Sequence, residues 1–163
     1  MTTGREHEKS TRFWSLPFGL VMAIFFDMKT AIISCLAFFI GGHFLSPDLD
    51  TKSICLRRWG IFKSIWLPYR KLIPHRSILS HGLIIGTTIR LLYLLICGYL
   101  AIQILVILGL INNQSIINFY LNYLNKNHDQ FVFILIGIEL SSWLHLVKDG
   151  DPLLIRWLDF MKK

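Results

Sequence analysis

Four apolar runs separated by polar or basic stretches dominate the chain. Residues 91–111 run for 21 positions without one charge, long enough to cross a bilayer as a helix. Residues 13–26 and 30–45 are shorter uncharged runs flanking Asp27-Met28-Lys29, a pattern that predicts a tight helical hairpin. A fourth run, residues 131–147, is apolar except for Glu139, two serines and His145. All four are apolar all round rather than along one stripe, which distinguishes them from amphipathic surface helices. They predict an all-α integral membrane bundle of about four helices with an N-terminal helical hairpin, a single domain over residues 1–163. The competing reading is a soluble helical domain with an unusually apolar core.

Two intervening stretches predict something other than a crossing. In residues 54–74, Trp59, Phe62, Trp66 and Tyr69 alternate with Arg and Lys, as in a segment lying at the membrane interface with its cations snorkelling outward. Residues 112–130 are Asn-rich and predict an external loop or a short interfacial helix near residues 116–124.

Composition sharpens this picture. The chain is 53% hydrophobic and 17% charged, with 12 Phe, 5 Trp and 5 Tyr against 10 acidic residues. That is too little polar surface to coat a water-facing sphere, and it argues against a free cytosolic enzyme, a disordered tail or a disulfide-rich module. Cys35, Cys55 and Cys97 show no thiolate zinc spacing and read as buried hydrophobes or free thiols.

The net charge of +7 gains meaning from its distribution. Four crossings place Arg5, Lys9, Arg12, Lys52, Arg57, Arg58, Lys63, Arg70, Lys71, Arg76, Lys148, Arg156, Lys162 and Lys163 on one side. Only Lys29 and Lys126 fall on the other, with Arg90 inside the third run. Cationic loops stay in the cytoplasm, so both termini and the loop 46–82 are expected there. The charge is thus a topology signal and a surface for anionic headgroups, and nucleic acid is not an expected partner. Arg-Glu-His-Glu-Lys precedes the first apolar run with no small-residue cleavage site after it, so no cleavable signal peptide is expected.

On that topology His7, His75, His81, His145, Asp48, Asp50 and Asp149 all reach one membrane level. In Ser46-Pro47-Asp48-Leu49-Asp50, proline ends a helix and two carboxylates follow at i and i+2; they can bind one ion, bridge two, or form an ordinary turn. In Pro74-His75-Arg76-Ser77-Ile78-Leu79-Ser80-His81-Gly82 two imidazoles flank a helix start, with Ser77 or Ser80 available as its cap. Imidazole is a ready ligand for transition metals and guanidinium suits a phosphate oxygen, while a capped helix with exposed histidines is the plainer reading. His145 and Asp149, at i and i+4, share a helix face as co-ligands or as a structural hydrogen bond. Arg90 and Glu139 are expected to pair inside the bundle and lock the third helix to the fourth. His43 is expected at the interface, and His128 facing solvent.

The order of these motifs resembles the YdjM-like membrane-bound metal-dependent hydrolases. Gly4-Arg-Glu-His-Glu, Arg58-Trp-Gly, Trp66-Leu-Pro-Tyr-Arg-Lys and His75-Arg-Ser-Ile-Leu-Ser-His-Gly resemble more closely a related group of small bacterial proteins known only as metal-binding. The resemblance implies a helical membrane scaffold with His7, Asp48, Asp50, His75, His81, His145 and Asp149 as metal ligands or close neighbours, and Arg76 as an anion-holding residue. Ser80 stands where the hydrolase motif has threonine, and Gly82 replaces its final serine hydroxyl.

Two functions are compatible with these residues. In the first, the ligands hold one or two divalent ions, zinc foremost with manganese or iron also compatible. Metal-activated water would attack a phosphoester or ester of an amphiphilic or phosphorylated substrate, with Asp50 or Asp149 as base and Arg76 stabilising developing charge. In the second, the metal is structural or regulatory and no reaction occurs. Association with the lipid bilayer is expected in either case, and an oligomer is compatible with both.

Overall fold

The structure, a computed structural model, describes residues 3–150; Arg156, Lys162 and Lys163 of the charge argument lie outside the described residues. Among the described residues there are seven α-helices, two 3-10 segments and no strand: α1 Gly4–Phe25, α2 Met28–Phe44, α3 Ile54–Arg58, α4 Trp66–Leu72, α5 Ile78–His81, α6 Ile85–Ile107 and α7 Asn113–Asp149. The 3-10 segments are Pro47–Asp50 and Gly60–Ile65.

The N-terminal hairpin forms as its polar break requires. Asp27 caps α2, its carboxylate accepting from Thr30 N at 2.9 Å and from the Thr30 hydroxyl at 2.9 Å. Three stretches, Met28–Asp50, Ile85–Ile107 and Ile116–Asp149, are long and apolar enough to cross a membrane, rather than four. The first half of α1 carries Arg5, Glu6, Glu8, Lys9 and Arg12, and its remaining 13 or so apolar residues span only about 20 Å of helix. The Asn-rich stretch is helical as well. It joins the last run in one long α7 that bends at Asn127, whose φ of −124° and ψ of 21° leave the helical region.

α2 and α7 are packed through small residues that let their backbones approach. Ala37 and Gly41 on α2 face Gly137 and Ser141 on α7, with Ser34 fully buried between the helices. A Cβ at Gly137 would lie 2.8 Å from the Ser34 carbonyl oxygen and 2.9 Å from the Ala37 Cβ. Gly137→Ala is therefore expected to separate the two helices and to cost about 1–3 kcal/mol. Denaturant titration in detergent measures it, and a variant as stable as the parent would contradict this packing.

Within residues 54–74 the aromatic side chains divide between core and surface, Phe62 being exposed and others turned inward. Trp66 and Tyr69, expected at headgroup level, are 0% and 1% exposed and pack with Leu45, Leu49, Cys55, Leu56 and Ile138. Their rings join Trp59 and Tyr93 in an aromatic cluster, and Trp59 Nε1 donates to the Phe44 carbonyl at 3.0 Å. Burying those rings offsets the chain entropy of folding a run of very short helices. The segment becomes a rigid cap on one end of the helices. Burial also pushes the Cys55 thiol up to about 12, so this cysteine behaves as a small apolar side chain.

α6 is different. Its buried residues, Gly86, Thr87 and Arg90, all lie near its start, and beyond them Leu92, Leu95, Ile96, Leu100, Ile104 and Ile107 are exposed. The outward faces of α1 and α2 are equally apolar, with Phe13, Leu16, Leu20, Ile24, Ile32, Leu36 and Ile40 exposed.

Candidate metal centre

Helix ends and tight turns deliver every donor. His7 sits in the first turns of α1, whose start is fixed by Thr3 N donating to Glu6 Oε2 at 2.7 Å. Pro47 halts α2 and opens the 3-10 turn that presents Asp48 and Asp50; Ser46 Oγ accepts from Asp48 N at 3.4 Å. His75 lies in the turn after α4, next to Arg76, whose φ of 58° is left-handed, an uncommon conformation for a residue with a Cβ. His81 ends α5. His145 and Asp149 occupy the last turns of α7, one above the other.

The seven residues converge at one end of the helices. Three triads each offer ligand atoms within 4.8 Å of one another: His7, His145 and Asp149; Asp48, His81 and His145; and Asp50, His75 and His81. His145 belongs to the first two and His81 to the last two, so the triads form one continuous chain. His7 Nε2 lies 2.9 Å from Asp149 Oδ1, and His75 Nδ1 lies 3.0 and 3.1 Å from the two Asp50 oxygens. His145 Nε2 is 3.5 Å from Asp48 Oδ1 and 3.4 Å from Asp149 Oδ2, and His81 Nδ1 is 3.6 Å from Asp50 Oδ2. With bonds of about 2.0–2.1 Å, neighbouring ligands in a tetrahedral zinc site are about 3.4 Å apart. The spacings around His145 match that edge.

Two serines set the imidazoles. Ser46 Oγ lies 3.2 Å from His145 Nδ1. When Nδ1 carries the proton and donates to Ser46, Nε2 keeps its lone pair. That buried Nε2 faces the Asp48 and Asp149 carboxylates, so a cation between them would share its lone pair with their oxygens. Ser80 Oγ lies 3.0 Å from His81 Nδ1 and 3.3 Å from the carbonyls of Pro74 and Ser77. A hydroxyl donating to a carbonyl accepts from Nδ1–H, which makes His81 Nε2 the lone-pair nitrogen. Burial pushes the His7 pKa down, helped by His145 and partly opposed by Asp149, which favours the neutral form of this imidazole. The rings of His7 and His145 stack with centroids 3.8 Å apart. A cavity of about 20 Å³ bordered by His7, His43, Ser46, Asp48, Cys55 and His145 has room for a single water-sized occupant.

The donor set suits divalent cations. Imidazoles in their neutral form supply lone pairs, and three gathered carboxylates repel one another unless positive charge lies between them. Exposure is graded along the chain of triads. The side chains of His7, His81, His145 and Asp50 are largely buried, whereas the His75 side chain is 44% exposed and opens the third triad to the surface.

Other sequence expectations meet a different structure. Arg90 does not pair with Glu139. It is fully buried and donates to the Ser80 carbonyl at 2.7 Å, to Thr87 Oγ1 at 3.0 Å and to Ser142 Oγ at 2.6 Å. Glu139 Oε1 instead accepts from Ile84 N at 2.8 Å and from the Trp143 indole. Ile84 has a φ of 63°, a strained conformation for a β-branched residue, and the Glu139 hydrogen bond holds this corner between α5 and α6. His43 is buried rather than interfacial, with Nδ1 2.9 Å from the Phe39 carbonyl and Nε2 3.4 Å from Arg12 Nε. His128 is exposed, as expected, beside Asp129. Ser77, at the start of α5, makes no side-chain cap bond. The roles of Ser46 and Ser80 in orienting His145 and His81 went unread in the sequence, although each serine stands just before a candidate motif or ligand.

An all-helical chain that gathers four imidazoles and three carboxylates at one end of its helices has the architecture and donor set of a metal-binding protein. Residues 2–157 match the family described as Uncharacterized metal-binding protein (DUF2227), and the chain belongs to it. No curated protein and no solved structure matches the chain.

Proposed function

We propose that this chain is an integral membrane protein that holds divalent ions in its linked His/Asp triads and hydrolyses a phosphoester or ester near the lipid headgroups. The observation carrying this reading is the graded chain of triads, closed at His7 and Asp149 and open at His75. Membrane integration is supported by three long apolar helices and by apolar faces left uncovered on α1, α2 and α6. The bias of basic residues supports a cytoplasmic position for the centre. Hydrolysis, rather than a structural or regulatory metal, rests on the resemblance of its sequence motifs to those of the YdjM-like hydrolases.

A divalent ion, zinc foremost with manganese or iron as alternatives, would supply Lewis acidity and bring the ionisation of water toward neutral pH. The residues of the chain do the rest. His7, Asp48, Asp50, His75, His81, His145 and Asp149 hold the charge in place, and Ser46 and Ser80 fix the direction of two imidazoles. The base is an aspartate left off the ion, either Asp50, within hydrogen-bond reach of His75 at the open end, or Asp149 at the closed end. Arg76, the chain neighbour of His75 in a left-handed turn, is the residue assigned to neutralise charge on a phosphoryl or acyl oxygen.

Purified protein is expected to turn over at least one member of a phosphoester and carboxyester panel, with activity abolished by a chelator and restored by zinc or manganese. Arg76→Met is expected to reduce that turnover about 100-fold with metal content unchanged. A second reading rests on the burial of His7 and His145: an ion there would tie α1 to α7 without reacting. Retained metal, a lower Tm on chelation and no turnover anywhere on the panel would establish it in place of hydrolysis.

A further inference from the structure

Away from the triads, the cap formed by residues 46–72 contains a second site of different chemistry. A cavity of about 520 Å³ is bordered by Lys52, Arg57, Lys63 and Arg70, with Ser64 and Leu67 between them and no carboxylate in its wall. Four cations facing one space repel one another, and a chain normally places acids among them. Here it does not. None of the four takes part in an ion pair among the described residues, whereas the neighbouring Arg58 is paired with Glu8 at 2.6 Å. Arg70 Nε is buried with no hydrogen-bond partner, a costly state for a guanidinium unless an anion supplies the acceptor.

The support under this cavity is rigid. α4 turns Trp66 and Tyr69 into the core and leaves Leu67 and Arg70 on its cavity side, and Leu56 is buried beneath. Around it, Ile61, Phe62 and Leu72 are exposed, at 84%, 57% and 77%. Apolar side chains standing in the open beside unpaired cations match the layering of a bilayer surface, where phosphates lie just above hydrocarbon.

We infer that the Lys52/Arg57/Lys63/Arg70 cavity binds the phosphate of an anionic glycerophospholipid, with Ile61, Phe62 and Leu72 reaching the acyl chains. Two guanidinium forks and two ammonium groups satisfy phosphate oxygens that a neutral headgroup would mask with its own cation. The site shares no residue with the metal centre. The inference rests on the membrane reading above, but not on hydrolysis.

Native mass spectrometry of the full chain, released from nanodiscs containing equal phosphatidylglycerol and phosphatidylcholine, tests it. The wild type is expected to retain phosphatidylglycerol selectively. Arg57→Gln/Arg70→Gln should weaken retention about 25-fold, on the basis of about fivefold per cation, with helicity and metal content unchanged. The control Arg5→Gln/Lys9→Gln, which removes two exposed cations from the same end of the helices, should change it less than twofold. Equal losses in both double variants would overturn the inference in favour of diffuse charge attraction. Displacement of the lipid by millimolar inorganic phosphate would overturn it in favour of a soluble anion. Carbonate extraction, run in parallel, separates failure of the cavity from failure of the membrane reading: extracted protein overturns both, and membrane-retained protein without selective lipid overturns only the cavity assignment.

Discussion

His145→Ala is expected to remove most of the metal from the purified protein, more completely than loss of any other single donor except His81. Its Nε2 lies between Asp48 and Asp149, at 3.5 and 3.4 Å, and it joins two of the three triads. His75→Ala, which breaks one triad at its exposed end, should leave part of the metal in place. Ser46→Ala keeps every ligand but frees the imidazole to turn, so affinity should fall about 10–100-fold, the usual cost of losing the partner that orients a ligand. Metal analysis after dialysis in detergent, with His128→Ala as an exposed control, gives the order. Full metal content in both His145→Ala and His81→Ala would end the assignment of this cluster as a metal centre. Acidification should act in the same direction, because protonated imidazoles hold no lone pair for a cation.

Arg90→Ala is expected to be among the most destabilising single changes in the chain. The guanidinium satisfies the Ser80 carbonyl, Thr87 and Ser142 together, and so fastens α5, α6 and α7 at one buried point. Its removal leaves buried acceptors unmet and a void, at a cost of about 3 kcal/mol or more. Because one of those acceptors is the carbonyl of Ser80, whose hydroxyl orients His81, metal affinity should fall as well. Arg90→Lys should recover little, since an ammonium cannot reach three acceptors in the geometry of a planar fork. Glu139→Gln separates this network from the ion pair expected on the sequence. The amide oxygen can still accept from Ile84 N and the Trp143 indole, so the substitution should be nearly neutral, whereas breaking a buried Arg90–Glu139 pair would be severe. Unfolding of the three variants in mixed detergent distinguishes the two arrangements: a stable Arg90→Ala with an unfolded Glu139→Gln would refute the network described here.

The candidate metal centre was legible in outline because its donors are chemically conspicuous. Carboxylates and imidazoles at the ends of apolar runs stand out against their surroundings, and Pro47, the i, i+4 spacing of His145 and Asp149, and the His75-to-His81 motif each constrain local geometry. Their linkage was not legible. That His145 and His81 each serve two triads depends on how deeply α5 and the end of α7 reach beneath the Pro47–Asp50 turn, and the packing of distant helices sets that depth.

The sequence by itself determined the long apolar helices, the turn at Asp27 and the candidate donors in their local motifs, because each follows from local composition, period or spacing. Tertiary structure decided what each polar or aromatic group in the apolar regions does. Arg90 chose two hydroxyls and a carbonyl over Glu139, and Trp66 and Tyr69 turned inward. The bend at Asn127 joined an expected loop to the last apolar run. The reason is physical: a buried polar group takes the partner that close packing brings within hydrogen-bond reach, and residues 50 or more apart in the chain acquire that proximity only when the fold is complete.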